Sequence, residues 1–256
     1  MPLQIGIVLL GATISLPYAL AVSSVYLPWI ALFVIVSFVA GLMLGKLLGI
    51  HHRLAFLLSS GAAICGGTAM AAVAPIIKAK PQELLIAMTI IFLLNAVAII
   101  VFPLVGNYLE MNNFEFGAWA ALAIHDTGSV IGSALTFSNE SAEVAATLKL
   151  GRTIWLIPLI LLANWMFNKK AQATKFPRFI LFFILAIVAN TVFTFNEQVI
   201  NILQISSQAF LLIGLFCIGS QFDPNELNSI SGKPLVLALT LWALVIPSAY
   251  FLVKYF

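Results

Sequence analysis

Charge is what this sequence has least of. Of its 256 residues only 8% are charged, 12 Lys+Arg against 9 Asp+Glu, while 62% are hydrophobic. A soluble domain carries roughly 25% charged and about 45–50% apolar residues. With a mean hydropathy of +1.10, the chain has too little charge to cover a water-facing surface of its own. A soluble enzyme, a nucleic-acid binder and a disordered chain are all excluded. Cysteine is scarce as well. Cys65 and Cys217 both lie in apolar runs, so neither a disulfide framework nor a zinc site is expected. Walker A, GxGxxG and His-rich metal patterns are absent, and no cofactor is implied. Met1-Pro2-Leu3-Gln4 carries no basic residue, so the first apolar run reads as a retained helix rather than a signal peptide.

What is present is a series of apolar runs long enough to cross a bilayer, which takes roughly 20 residues. Nine can be marked: 3–22, 27–45, 54–77, 84–106, 114–137, 144–167, 177–195, 199–220 and 233–253. Connections are short, so residues 1–256 read as one polytopic membrane domain. Runs such as Ile154–Leu162 do not alternate apolar with polar, which favours helices over barrel strands.

Basic residues favour cytoplasmic loops. Lys46 and Arg53 after the second run, and Lys169, Lys170, Lys175 and Arg178 after the sixth, place those loops inside. The loops after runs one, five and seven lack Lys and Arg and read as outside. Nine crossings then put the N-terminus inside and the C-terminus outside. Lys78 and Lys80 conflict, because the same count places them outside. Either runs three and five are re-entrant and return to their own sides, or both cross as broken helices with the lysines held outside.

Run three contains Cys65-Gly66-Gly67-Thr68 near its centre and Pro75 towards its end. Small residues often serve only close helix packing. Adjacent glycines also suit unwound backbone, which lipid tolerates only beside a cavity or other protein. Run five contains His125-Asp126-Thr127-Gly128-Ser129. Ionisable residues inside a span are costly and default to a functional reading; a packing cluster is the alternative. Lys149 and Arg152 share one helix face at the start of run six. Asp126 or a bound anion could balance them, or both could snorkel to the outer interface. Near the end of run eight, Cys217-Ile218-Gly219-Ser220 repeats the Cys-x-Gly-hydroxyl pattern of Cys65–Thr68. Four runs lie between, so the two segments would be antiparallel, as in an inverted repeat. A rival pairing matches Ile5-Gly6 and Gly11 with Ile213-Gly214 and Gly219. Asn95 reads as packing glue, and His51-His52-Arg53 as a solvated turn.

Three stretches, ICGGTAMAAVAPIIKAK, FGAWAALAIHDTGSVIGSA and ATLKLGRTIWLIP, resemble the YeiH-type bacterial inner-membrane proteins, a group that carries a sulfate-exporter label. The opening IGIVLLGATISL is similar to that family's glycine-rich early helix. The resemblance implies an inverted-repeat secondary transporter of the cation-antiporter and bile-acid-symporter kind, with two helices broken at the midplane. It favours crossing for runs three and five. It maps Cys65, Gly66, Gly67 and Thr68, then His125 and Asp126, then Lys149 and Arg152 onto the family's motifs, with Lys78 as a further candidate. Taken with the residue patterns above, substrate binding is expected at Cys65, Gly66, Gly67, Thr68, Thr127, Ser129, Lys149, Arg152, Gly219 and Ser220, and coupling at His125 and Asp126. Family members usually carry about two more helices before this opening segment, so the chain reads as N-terminally short.

Transport of a small anion such as sulfate, coupled to protons or cations, is the leading expectation. A cation/proton antiporter and a non-transporting, shortened membrane protein are the alternatives. The expected partners are the lipid bilayer, a small anion and a coupling proton or cation. No nucleic acid and no enzymatic activity are expected, and a homodimer stays open.

Overall fold

The structure is a computed structural model that describes residues 2–167, 178–219 and 232–255. All the regular structure in these residues is helical. The elements are α1 (Pro2–Gly11), α2 (Leu16–Leu47), α3 (His52–Ala63), α4 (Gly67–Val73), α5 (Pro81–Tyr108) and α6 (Asn113–Ala123). They continue with α7 (Thr127–Phe137), α8 (Asn139–Thr153), α9 (Leu156–Phe167), α10 (Arg178–Phe193), α11 (Glu197–Gly219) and α12 (Gly232–Tyr255). Pro28–Leu47, Pro81–Tyr108, Asn139–Phe167 and Gly232–Tyr255 are long and apolar enough to cross a membrane. Large apolar side chains such as Ile100, Leu104, Leu161 and Trp165 are exposed on these helices. In a bilayer that surface meets lipid.

The first two expected runs are divided differently. The turn anticipated between residues 22 and 27 lies inside α2, which runs unbroken through Pro28. The chain breaks earlier, at residues 12–15, where Thr13 Oγ1 donates to Leu10 O at 2.7 Å. Pro17 then sits in the first turn of α2, where a missing N–H costs nothing. The orientation argument therefore loses its first outside loop.

Runs three and five are the larger correction. His51, at the start of α3, pairs with Glu83 in the first turn of α5, Nδ1 to Oε1 at 3.0 Å. The α3–α4 segment thus leaves and returns to the same end of the molecule. Met70 of α4 packs back against Gly61 of α3. The segment α6–α7 does the same at the other end. Phe116 in the first turn of α6 stacks on Phe137, the last residue of α7, with ring centroids 4.1 Å apart. Asn113 Nδ2 donates to Glu140 Oε2 at 2.9 Å, and Ser141 Oγ donates to Asn113 O at 2.7 Å, so α8 begins where α6 began. Both segments are re-entrant hairpins, and the crossing arrangement is overturned.

The spanning helices confirm the two ends. At about 1.5 Å per residue, the 28 residues of α5 reach roughly 42 Å, from Glu83 to the start of α6. The pair α8–α9 returns, ending at Phe167, which stacks on His52 with centroids 5.8 Å apart. α12 runs away again, and Lys254 near its end meets Glu115 at 3.0 Å. Lys46, His51, His52, Arg53, Lys78 and Lys80 gather at one end. Glu115, Glu140 and Lys254 stand at the other. The misfit of Lys78 and Lys80 disappears, because a re-entrant hairpin returns them to the end that holds Lys46. Lys169, Lys170 and Lys175 lie outside the described residues.

Close packing holds the hairpins to their neighbours. Gly41 of α2 faces Ser59 of α3 so closely that an added Cβ would come within 2.8 Å of Ser59 Cβ. α1, α10 and α11 form a side bundle around Ile7, Leu10, Phe183 and Ile187, and Ser207 Oγ donates to Gly6 O at 2.8 Å.

The Cys-x-Gly-hydroxyl motif at Cys217 breaks no helix among the described residues. α11 continues unbroken through Cys217 to Gly219, and Ser220 lies outside the described residues. The break matching Ala63–Gly67 is Ala123–Thr127. Both follow an Ala-Ile pair, Ala63-Ile64 and Ala123-Ile124.

Candidate functional site

The two hairpin tips touch. Gly66 has φ +58, a left-handed conformation that glycine adopts freely and other residues rarely do. A Cβ built on it would sit 3.3 Å from both Cα and Cβ of Asp126. Turning the first hairpin and admitting the second tip therefore both favour glycine at this position. The second tip turns without glycine, through extended backbone at Ile124 and Asp126.

Breaking a helix frees carbonyls that lipid cannot satisfy. At the first break Ser60 O accepts from Ile64 N at 3.2 Å and Gly61 O from Gly66 N at 2.9 Å. Ala62 O and Ala63 O accept from Arg152 Nη2 and Nε at 2.9 and 2.7 Å. At the second break Leu122 O accepts from Arg152 Nη1 at 2.7 Å, and Ala121 O accepts from the same nitrogen at 3.2 Å. Ala123 O takes Trp242 Nε1 at 3.2 Å, and Ile124 O takes Lys149 Nζ at 2.7 Å. Two side chains of α8 thus hold the carbonyl ends of both incoming arms. Cations at helix C-termini also answer the negative end of the helix dipole.

Lys149 and Arg152 are fully buried, 0% and 1% exposed, so they do not snorkel. No carboxylate among the described residues pairs with either within 4.0 Å. The Arg152 guanidinium also lies 5.4 Å from the centroid of the Phe33 ring. Four carbonyls depend on this guanidinium.

Asp126 is half-buried and caps α7. Its Oδ2 accepts from Ser129 N at 3.1 Å and Ser129 Oγ at 3.3 Å. Thr127 and Ser129 are buried behind it, and Thr68 is half-buried on α4. Cys65 is a buried free thiol at the first tip, and Gly67 packs against Phe92 of α5. His125 is buried on the side of α5 and α12, its backbone N–H donating to Asn95 Oδ1 at 3.3 Å.

Residues 65–68, 125–129, 149 and 152 lie together at and beside the two tips. Lys78 does not join them. It is exposed, with φ +52, at the basic end where the first hairpin returns. Gly219 ends α11, and Ser220 is outside the described residues. Asn95 and Trp242 were missed as site residues. Asn95 is a lone amide in an apolar run, the one signal the sequence offered. Nothing local marks Trp242, whose indole is brought to Ala123 by the fold.

Comparison with known proteins agrees with a membrane setting. The family described as Conserved hypothetical protein 698 matches residues 1–238. A UPF0324 membrane protein of Bacteroides thetaiotaomicron is 38% identical over 246 residues, covering 95% of this chain and 74% of that protein. Another, from Vibrio parahaemolyticus, is 39% identical over 249 residues, covering 95% and 80%. One from Geobacter sulfurreducens is 34% identical over 245 residues, covering 96% and 79%. No solved structure matches.

Proposed function

The chain belongs to the UPF0324 family of membrane proteins, and from that premise we propose that it is a secondary transporter of a small anion, working at the meeting of its two hairpins rather than by catalysis. The observation that carries this reading is the pair of buried cations. Lys149 and Arg152 are out of water beside the hairpin tips, with carbonyl dipoles but no paired carboxylate among the described residues. Buried charge without a counter-charge is costly. An anion arriving between the tips relieves that cost, and the backbone and hydroxyls of Cys65, Gly66, Gly67, Thr68, Thr127 and Ser129 would line its seat. Lys149 and Arg152 act on it through the field they set up at the tips.

Asp126 takes the coupling role. It is the carboxylate at the tips, half-buried and so reachable as the hairpins part. The two hairpins, each followed by a spanning helix and dipping from opposite ends, form an inverted repeat, the architecture of alternating access. By the basic-residue rule the end with Lys46, Lys78 and Lys80 is cytoplasmic. In a bacterial inner membrane the first hairpin then dips from the cytoplasm, the second from outside, and the C-terminus is outside.

Flux of labelled sulfate into proteoliposomes tests the proposal. The expected result is proton- or cation-dependent uptake that Asp126→Asn uncouples without loss of fold. Unchanged coupled flux in that variant would remove Asp126 from its role. The same carboxylate also favours a second reading, cation/proton exchange. Exchange driven by a sodium gradient with no anion requirement would select that reading.

A further inference from the structure

Beside the tips lies a second group of buried polar atoms that neither the helix breaks nor Asp126 uses. Asn95, in the middle of α5, is 2% exposed, and His125 is 1% exposed. The amide orientation of Asn95 is set by its bond to His125. Oδ1 accepts the backbone N–H, so Nδ2 must face elsewhere. Neither that Nδ2 nor either ring nitrogen of His125 has a hydrogen-bond partner among the described residues. Buried side-chain polar atoms are in large majority partnered. Three without partners on two touching residues is a local concentration. Trp242 walls the place, its ring centroid 6.3 Å from that of His125, with its own N–H committed to Ala123 O.

The donor set indicates what fits. An amide nitrogen offers two N–H groups and no lone pair, and a neutral imidazole offers one donor and one acceptor. Donors therefore outnumber acceptors. The cations Lys149 and Arg152 are anchored on Ile124 O and Leu122 O, in the segment leading into His125. A metal cation needs lone pairs and is disfavoured by that field. A negatively charged oxygen suits both the donors and the field.

We propose that Asn95 and His125 form a binding subsite for one oxygen of an oxyanion, with Trp242 as its wall. The inference deepens the transport reading and rests on it in taking that oxyanion to be the carried one. It also gives the amide of Asn95 a ligand, where the apolar run around it suggested only packing. Because Asn95 belongs to the spanning helix α5 and His125 to a hairpin tip, an anion held by both ties the tip to the spanning scaffold.

The test uses the full chain in lipid nanodiscs, with sulfate, sulfite and acetate as probes. Direct binding is measured for the wild type, Asn95→Ala, Asn95→Asp and His125→Ala, with thermal melting to establish that each is folded. Asn164→Ala, which removes another buried amide on α9, is the control. At least one probe should bind the wild type. Affinity should fall about ten- to hundredfold in Asn95→Ala and His125→Ala, as for loss of a hydrogen bond to a charged group. It should fall at least as far in Asn95→Asp and stay within twofold in Asn164→Ala. As a readout independent of variant folding, the ring 15N signals of His125 in labelled wild-type protein should move on addition of the bound probe. A probe that binds with Asn95→Ala within twofold of wild type, or with His125 signals unmoved, overturns the subsite and leaves anion transport standing. Failure of every probe to bind the wild type, together with no anion flux, overturns both.

Discussion

The two hairpins solve one problem in different ways. Each must reverse a chain inside the membrane and leave no carbonyl unsatisfied. The first, α3–α4, reverses on Gly66 in a left-handed conformation and brings a bare backbone and a thiol to the meeting point. The second, α6–α7, reverses on extended residues and brings His125 and Asp126. The carboxylate and the imidazole therefore sit on one tip, while the other supplies the close approach. α8 serves both, since the guanidinium of Arg152 bonds the end of each incoming arm.

Six substitutions at five positions can break or sharpen that comparison. Arg152→Ala should have the largest effect. It strips donors from both hairpins, and each buried carbonyl left alone costs about 1–3 kcal/mol. A loss of about 4 kcal/mol or more, or failure to fold, is expected from denaturant unfolding in micelles. Arg152→Lys should recover only part of it, because an ammonium cannot reproduce the planar fork. Gly66→Ala strikes the first hairpin alone. The left-handed backbone costs about 1–2 kcal/mol for a residue with Cβ, and the added carbon must also displace Asp126. A melting-temperature drop accompanied by loss of transport is expected, whereas Gly61→Ala, against the flexible Met70 side chain, should be milder. Trp242→Phe removes one donor from the second hairpin and should cost about 1 kcal/mol. Lys254→Gln removes an ion pair at the far rim and should leave both melting and transport unchanged, since exposed pairs contribute little.

Much of this was legible in the sequence because apolar length and misplaced polarity are local signals. The runs at 84–106, 177–195 and 233–253 correspond to α5, α10 and α12. His125, Asp126 and the paired glycines stood out against lipid-compatible neighbours. The path of the hairpins was not legible, because contacts between distant residues decide it. His51 meets Glu83, and Asn113 meets Glu140, only once the chain has turned. The trace left in the sequence was the awkward placing of Lys78 and Lys80, which the re-entrant alternative resolves. The Cys-x-Gly-hydroxyl echo at Cys217 marks no helix break among the described residues, since four matching positions in an apolar chain do not require one. The side chains of Lys149 and Arg152 could be placed on one face, but not assigned to carbonyls on two different hairpins.

The account stands on both hairpins returning to the end they left. Single cysteines at positions 46, 80, 112 and 138, in a chain with Cys65 and Cys217 replaced by Ala, can be labelled with a membrane-impermeant maleimide in intact cells and in inverted vesicles. Cysteines at 46 and 80 should label from one side, and those at 112 and 138 from the other. Labelling of position 80 from the side opposite to position 46 would show that the first hairpin crosses, and would contradict the account.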